Sequence, residues 1–153
     1  MALEEATDAA PFVFLVPTAL PDDLELLPYV VLLQVQEGYS DGRLSHDEFL
    51  LIYRGKPGRY VILSESMLPK GPGLAARLAD VGGRQGWLES DLIDSHQFVL
   101  YLPDWGVAEH YIGRGIPEEA DDKLPPGSVI LRVSGLSVDE AIAVLESLEP
   151  YTP

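Results

Sequence analysis

Two runs of β-branched and aromatic residues, Phe49 to Arg54 and Tyr60 to Glu65, flank the tetrapeptide Gly55-Lys56-Pro57-Gly58. Proline presets φ at about −65°, glycine relaxes the corners, and the flanking runs favour pleated backbone over helix. The segment is therefore expected to fold back on itself as a hairpin, and a chain with such a hairpin at its centre is expected to build on an antiparallel sheet.

The same punctuation recurs along the chain. Phe12 to Val16 reads as a brief strand or an extended arm ended by Pro17, and Leu27 to Gln36 as a strand half-buried at its far end. Met67 to Gly73 is a connector rich in proline and glycine, and Leu74 to Asp80 offers at most two helical turns before Gly82-Gly83. Trp87-Leu88 suggests a short strand, and His96 to Leu102 alternates more clearly. Pro103-Asp104-Trp105-Gly106 turns that strand into Val107 to Ile112 as a second hairpin, and Val129 to Val133 is the last strand. Ser137-Val138-Asp139-Glu140 has the form of a capping box. It opens a helix whose apolar stripe is Val138, Ala141, Ile142, Leu145 and Leu148, with Pro150 as its stop.

The sum is an α+β fold: an antiparallel β-sheet of about six strands with a C-terminal helix packed on it. One domain spans residues 1–153, and its first ten residues, 1–10, are expected to form a flexible arm. A chain of 153 residues can bury about two-thirds of its unfolded surface around one core. Its hydrophobic share of 46% against 23% charged excludes a disordered polymer, and 13 prolines with 14 glycines favour many short elements over long helices.

Formal net charge is −15, and the acids run the whole length, 11 before residue 76 and 14 after it, so the chain has no acidic tail on a neutral body. The ten basic residues are scattered singly. Nucleic acid and anionic membrane surfaces both require clustered Lys and Arg, so neither is expected as a partner. Solubility is the first reading of the charge, and a basic partner or a cation is the second. The absence of cysteine excludes disulfides, thiolate nucleophiles and Cys-ligated zinc. No apolar run reaches the roughly 18 residues of a spanning helix and the N-terminus lacks a basic n-region, so a soluble chain without direct membrane insertion is expected.

The side chains that carry chemistry form no recognisable motif. His46, His96 and His110 lack a second ligand at i+2 or i+4 on a shared face, although His96 and His110 fall in strands expected to pair, so no metal site is assigned. Glu118, Glu119, Asp121 and Asp122 offer hard oxygens without the alternation and central glycine of a calcium loop, and read as a solvated charge run. Gly38-Tyr39-Ser40-Asp41-Gly42 has the spacing Gly-x-Ser-x-Gly but reads as a turn that breaks the preceding strand, and Ser95 next to His96 does not make a nucleophile and base. Acid pairs such as Glu89 with Asp91 arise by chance among 25 acids. Neither Gly71-Pro72-Gly73 nor Gly82-Gly83-Arg84-Gln85-Gly86 makes a phosphate loop, so no cofactor and no catalytic residue are assigned.

Tyr29, Phe49, Tyr53, Trp87, Phe98, Tyr101, Trp105 and Tyr111 lie mostly in expected strands, where core burial is the ordinary reason for an aromatic. Trp105 is the exception because a turn places it near the surface. With Tyr101 and Tyr111 it makes up the candidate contact residues.

The stretch from Phe98-Val99-Leu100-Tyr101-Leu102-Pro103-Asp104-Trp105 through Ile130-Leu131-Arg132-Val133-Ser134-Gly135-Leu136-Ser137 to Glu146-Ser147-Leu148 resembles an uncharacterised bacterial family. Its members end in a strand, a Gly-Leu-Ser turn and a short helix closing on Ser-Leu. Phe14-Leu15-Val16-Pro17-Thr18-Ala19-Leu20-Pro21 is similar to the way such domains begin. In that family the domain commonly lies outside the membrane behind a single anchor, in proteins linked to sigma-factor regulation or to lipoprotein-carrier-like sensing, with no established catalytic residues. Neither the anchor nor the anti-sigma segment of that setting is expected in this sequence. The resemblance implies a non-enzymatic binding or sensory domain, extracytoplasmic if an anchor has been removed and otherwise cytoplasmic. Its sheet face or edge would receive a protein, a peptide or an apolar ligand. Two other classes stay open: a hydrolase or metal-dependent enzyme whose residues converge from distant strands, and an accessory subunit.

Overall fold

The computed structural model describes residues 1–39, 42–67, 75–90, 96–103 and 125–152, with backbone alone at 35–39 and 42–46. In chain order the elements are α1 (Leu3–Ala9), β1 (Leu15–Pro17), β2 (Glu25–Leu26), β3 (Val31–Tyr39), β4 (Gly42–Arg54), β5 (Tyr60–Ser66), β6 (Arg77–Val81), β7 (Arg84–Ser90), β8 (Gln97–Leu102), β9 (Ser128–Ser134), α2 (Val138–Glu146) and β10 (Leu148–Pro150).

The expected central hairpin is β4–β5, closed by Gly58 at a φ of 82° and by a backbone bond from the Gly55 amide to the Arg59 carbonyl at 3.0 Å. Arg59 also braces the turn, donating from its guanidinium to both oxygens of Asp23 at 2.9 and 3.1 Å and to the Gly135 carbonyl at 2.8 Å. Around this hairpin an eight-stranded sheet runs in the order β2-β4-β5-β9-β8-β7-β6, with β3 paired to the opposite end of the long β4. Every pairing is antiparallel. A two-stranded sheet, β1 with β10, lies apart from it.

The α+β architecture is the expected one, with eight strands in the main sheet in place of about six. The difference lies in short elements. β2 is two residues long, and Leu74 to Asp80, expected as helix, contributes the strand β6. Gly82 and Gly83 sit at φ of 59° and 84°, the pair of positive angles that a two-residue hairpin loop requires, and Val81 pairs with Arg84 across them. β3 starts at Val31 rather than Leu27, beyond Pro28.

Residues 1–10, expected as a flexible arm, hold the helix α1 instead. Ala6 and Ala10 are buried, and the Val30 amide donates to the Met1 carbonyl at 2.6 Å. A helix of seven residues is marginal alone, so this packing is what holds it.

Alternation along the strands sets up two faces. Phe49, Leu51 and Tyr53 of β4, Val61 and Leu63 of β5, Val129, Leu131 and Val133 of β9, and Phe98, Leu100 and Leu102 of β8 line the inner face and join one core. Residues Ala10 to Leu15 cross this core. Phe12, Phe14 and Phe49 form a triangle of edge-on rings with centroids 5.2 to 5.6 Å apart.

α2 adds Ala141, Val144 and Leu145 to the same core. Its capping box is complete: the Ser137 hydroxyl accepts from the Glu140 amide at 3.1 Å and the Glu140 carboxylate accepts from the Ser137 amide at 3.0 Å. The helix ends at Glu146, before the expected stop. Ser147 turns the chain, its hydroxyl bonded to the Val144 carbonyl and to the Thr18 and Ala19 amides, so that Leu148 and Pro150 belong to β10.

Candidate functional site

β9 lies between β5 and β8, and its register decides which side chains meet on the outer face. Arg132 stands opposite Ile62 on one side and Val99 on the other, and Val99 in turn stands opposite Glu89. Tyr60 pairs with Ser134 and Tyr101 with Ile130, so both tyrosines are diagonal neighbours of Arg132. Diagonal positions are about 7–8 Å apart, within reach of aromatic and long side chains. An arginine at the centre of a sheet thus has a tyrosine on each diagonal and a carboxylate one strand beyond Val99.

Tyr60, Glu89, Val99, Tyr101 and Arg132 line a cleft of about 360 Å³ together with Gln97. Tyr60, Val99 and Tyr101 are half-buried and Arg132 is exposed. Burial raises the Tyr101 phenol above its ordinary value, and Glu89, which takes a hydrogen bond from it, raises it further against the opposing pull of Arg132. A phenol held this way keeps its proton at neutral pH and acts as a donor, which suits recognition better than nucleophilic attack. Arg59 forms an ion pair with Asp23 at 2.9 Å, whereas none is found for Arg132 among the described residues. Its planar guanidinium can offer a two-pronged contact to a carboxylate.

Of the candidate contact residues, Tyr101 falls in this cleft, while Trp105 and Tyr111 lie outside the described residues. So do His110, Asp91 and the acidic run Glu118 to Asp122. His46 pairs through its backbone with Val35, and His96 is exposed at the start of β8, its carbonyl accepting from the Gly135 amide at 3.0 Å. Among the described residues no three His, Asp or Glu side chains come together as metal ligands. The aromatic expectation divides. Phe49, Tyr53 and Phe98 are core, Trp87 and Tyr101 are half-buried on the outer face, and Tyr29 is 47% exposed.

The residue that sequence reasoning missed is Glu65. It follows Val61 and Leu63 on the core-facing phase of β5 and is fully buried, opposite Phe49 on β4 and Val129 on β9. Its Oε1 accepts from the Leu15 amide at 2.7 Å, and its Oε2 is buried without a hydrogen-bond partner. Burial pushes the Glu65 carboxyl well above its ordinary value, and the Leu15 amide offsets this only in part. The signal was available: an acid two residues beyond Leu63 is in phase with the apolar face and out of phase with solvent.

Among the described residues no helix is long and apolar enough to cross a membrane. No protein-family model matches the chain, and comparison with curated proteins and with solved structures gives no match.

Proposed function

We propose that the chain is a non-enzymatic binding or sensory domain that receives a peptide segment or an apolar ligand bearing an anionic group on the outer face of its sheet. The observation that carries this reading is Arg132, exposed at the centre of β9 between the diagonals of Tyr60 and Tyr101. Two amphipathic rings supply contact area at low conformational cost, and the guanidinium supplies the fixed polar contact. Glu89 sets the orientation by disfavouring a second anionic group at its own end of the cleft. The resemblance to a family of anchored sensory domains supports the same class of function, and an extracytoplasmic, regulatory setting belongs to the proposal.

The test is a binding screen with fluorescently labelled short peptides carrying either free or amidated carboxyl ends. Binders are expected to prefer the free carboxylate, with Arg132→Ala weakening them about tenfold or more, as loss of a charged hydrogen-bonded contact requires. Tyr101→Ala is expected to weaken free and amidated forms alike. Binding indifferent to both substitutions would place the ligand elsewhere, and turnover of a substrate abolished by a point change would move the chain into the enzyme class.

A further inference from the structure

Glu65 is independent of the outer cleft, because it lies on the opposite face of the sheet under the N-terminal arm. Phe12 and Phe14 of that arm pack edge-on against Phe49, the residue paired with Glu65, and the arm's Leu15 amide is the donor to Oε1. The titratable group facing Glu65 from β4 is Tyr53, whose phenol is raised by burial and then by the Glu65 carboxylate. From β9 the opposite residue is Val129, and from the arm the facing polar group is the Leu15 amide. Among the described residues no Lys, Arg or His is buried, so no cation compensates this acid. A neutral carboxylic acid fits such a place. A carboxylate with one bare oxygen does not, unless water reaches it.

The arm is what keeps water out, and its fastenings are separate from the main sheet. β1 pairs with β10 in the two-stranded sheet, the Tyr151 amide donates to the Phe14 carbonyl at 2.7 Å, and the Thr18 amide donates to the Ser147 carbonyl at 3.1 Å. The arm contributes Phe12 and Phe14 to the core but no strand to the eight-stranded ladder, so it can open while that ladder stays paired.

We propose that Glu65 and the arm over it form a pH-gated latch: the closed arm encloses the neutral acid, and ionisation of the carboxyl lifts the arm from Phe49. The sign follows from linkage. With the acid raised in the closed state and ordinary in the open one, the closed arm keeps its full stability below 4.5, the ordinary glutamate value. It loses stability as pH rises toward the raised value, the opening constant growing about tenfold per pH unit in that window.

Native-state hydrogen exchange on the full chain reads this directly. Exchange through rapid opening gains about tenfold per pH unit from hydroxide catalysis alone. The Leu15, Thr18 and Tyr151 amides are therefore expected to gain about a hundredfold per unit while remaining less protected than Leu63 and Leu131 at the centre of the β5–β9 pair. Glu65→Gln keeps a carbonyl for the Leu15 amide, and is expected to return the arm amides to tenfold per unit. Arm amides as protected as the Leu63 and Leu131 amides at every pH would overturn the latch, as would a hundredfold slope that persists in Glu65→Gln. Should the variant not fold, the carboxyl carbon shift of Glu65 in the unaltered chain decides: titration near 4.5 refutes the proposal, and titration displaced upward together with the arm amides supports it.

Discussion

Truncating Leu145 to alanine tests whether α2 is a structural lid on the core or a recognition helix resting on it. Leu145 is 1% exposed and shares its buried stripe with Ala141 and Val144, and the helix touches β1, β6 and β9. Removing three carbons costs roughly 2.5 kcal/mol by transfer alone, at about 0.8 kcal/mol per methylene, and the residual cavity brings the total to about 2–5 kcal/mol. Ser137→Ala removes the hydroxyl that accepts from the Glu140 amide but leaves the reciprocal bond to the Ser137 amide, so its cost is about 1 kcal/mol. In urea, with a slope of about 2 kcal/mol per molar, the unfolding midpoint is expected to fall by about 1–2.5 M for Leu145→Ala and by about 0.5 M for Ser137→Ala. Equal shifts would refute the packing argument. An unchanged midpoint for Leu145→Ala together with lost association with a partner would make α2 a recognition element.

Gly83 sits at a φ of 84° with no atom near an added Cβ, so Gly83→Ala is expected to cost about 1–2 kcal/mol through backbone strain alone and Gly83→Asn clearly less, read as shifts in Tm. A Cβ at Gly127 would collide with the Met67 carbonyl, so Gly127→Ala is expected to cost about 1–3 kcal/mol in chemical unfolding, by forcing the backbone apart at the entry to β9. The Arg59 guanidinium holds the Asp23 carboxyl down from 3.8 to about 2, so its stabilisation is present above 3.8 and is lost as pH falls through about 2. Asp23→Asn is expected to flatten the dependence of Tm on pH in that acid range. A net charge of −15 repels an anionic ligand over distances that salt screens to about 10 Å at 0.1 M, while Arg132 attracts it at contact. The association rate of a carboxylate-bearing peptide is therefore expected to rise with added salt in stopped-flow mixing, and a fall would mean that the local field of Arg132 governs approach.

The parts of the fold that the sequence made legible are those whose cause is local. The β4–β5 hairpin follows from Gly55-Lys56-Pro57-Gly58, and the start of α2 from Ser137 and Glu140 three residues on. β6 was missed although its turn was local too. The residues Leu78-Ala79-Asp80 suit a helix by propensity, and Leu78, Asp80 and Arg77 are exposed, so no buried stripe argued for a strand. Only the two glycines, with their paired positive φ, carried the right answer. α1 was illegible for the opposite reason, since its stability comes from Ala6, Ala10 and the backbone bond to Val30, contacts made with residues distant in sequence.

The candidate site was less legible because it depends on where β9 returns. Tyr101 could be singled out in its own strand, but its neighbours Arg132 and Tyr60 come from β9 and β5. They meet it only because β9 inserts between β5 and β8 in one register. A slip of one residue would send Arg132 into the core and Leu131 to the surface, so the burial of Val129, Leu131 and Val133 fixes the position of Arg132 more firmly than any property of the arginine itself. Glu65 obeys the same rule from the other side. Val61 and Leu63 set the phase of β5, and the acid goes where that phase puts it, into a core whose burial disfavours its charge. Both polar groups that the functional argument rests on therefore owe their positions to the apolar residues beside them. The alternation of a buried strand, read one residue further than the hydrophobic run itself, is where such groups become visible in a sequence.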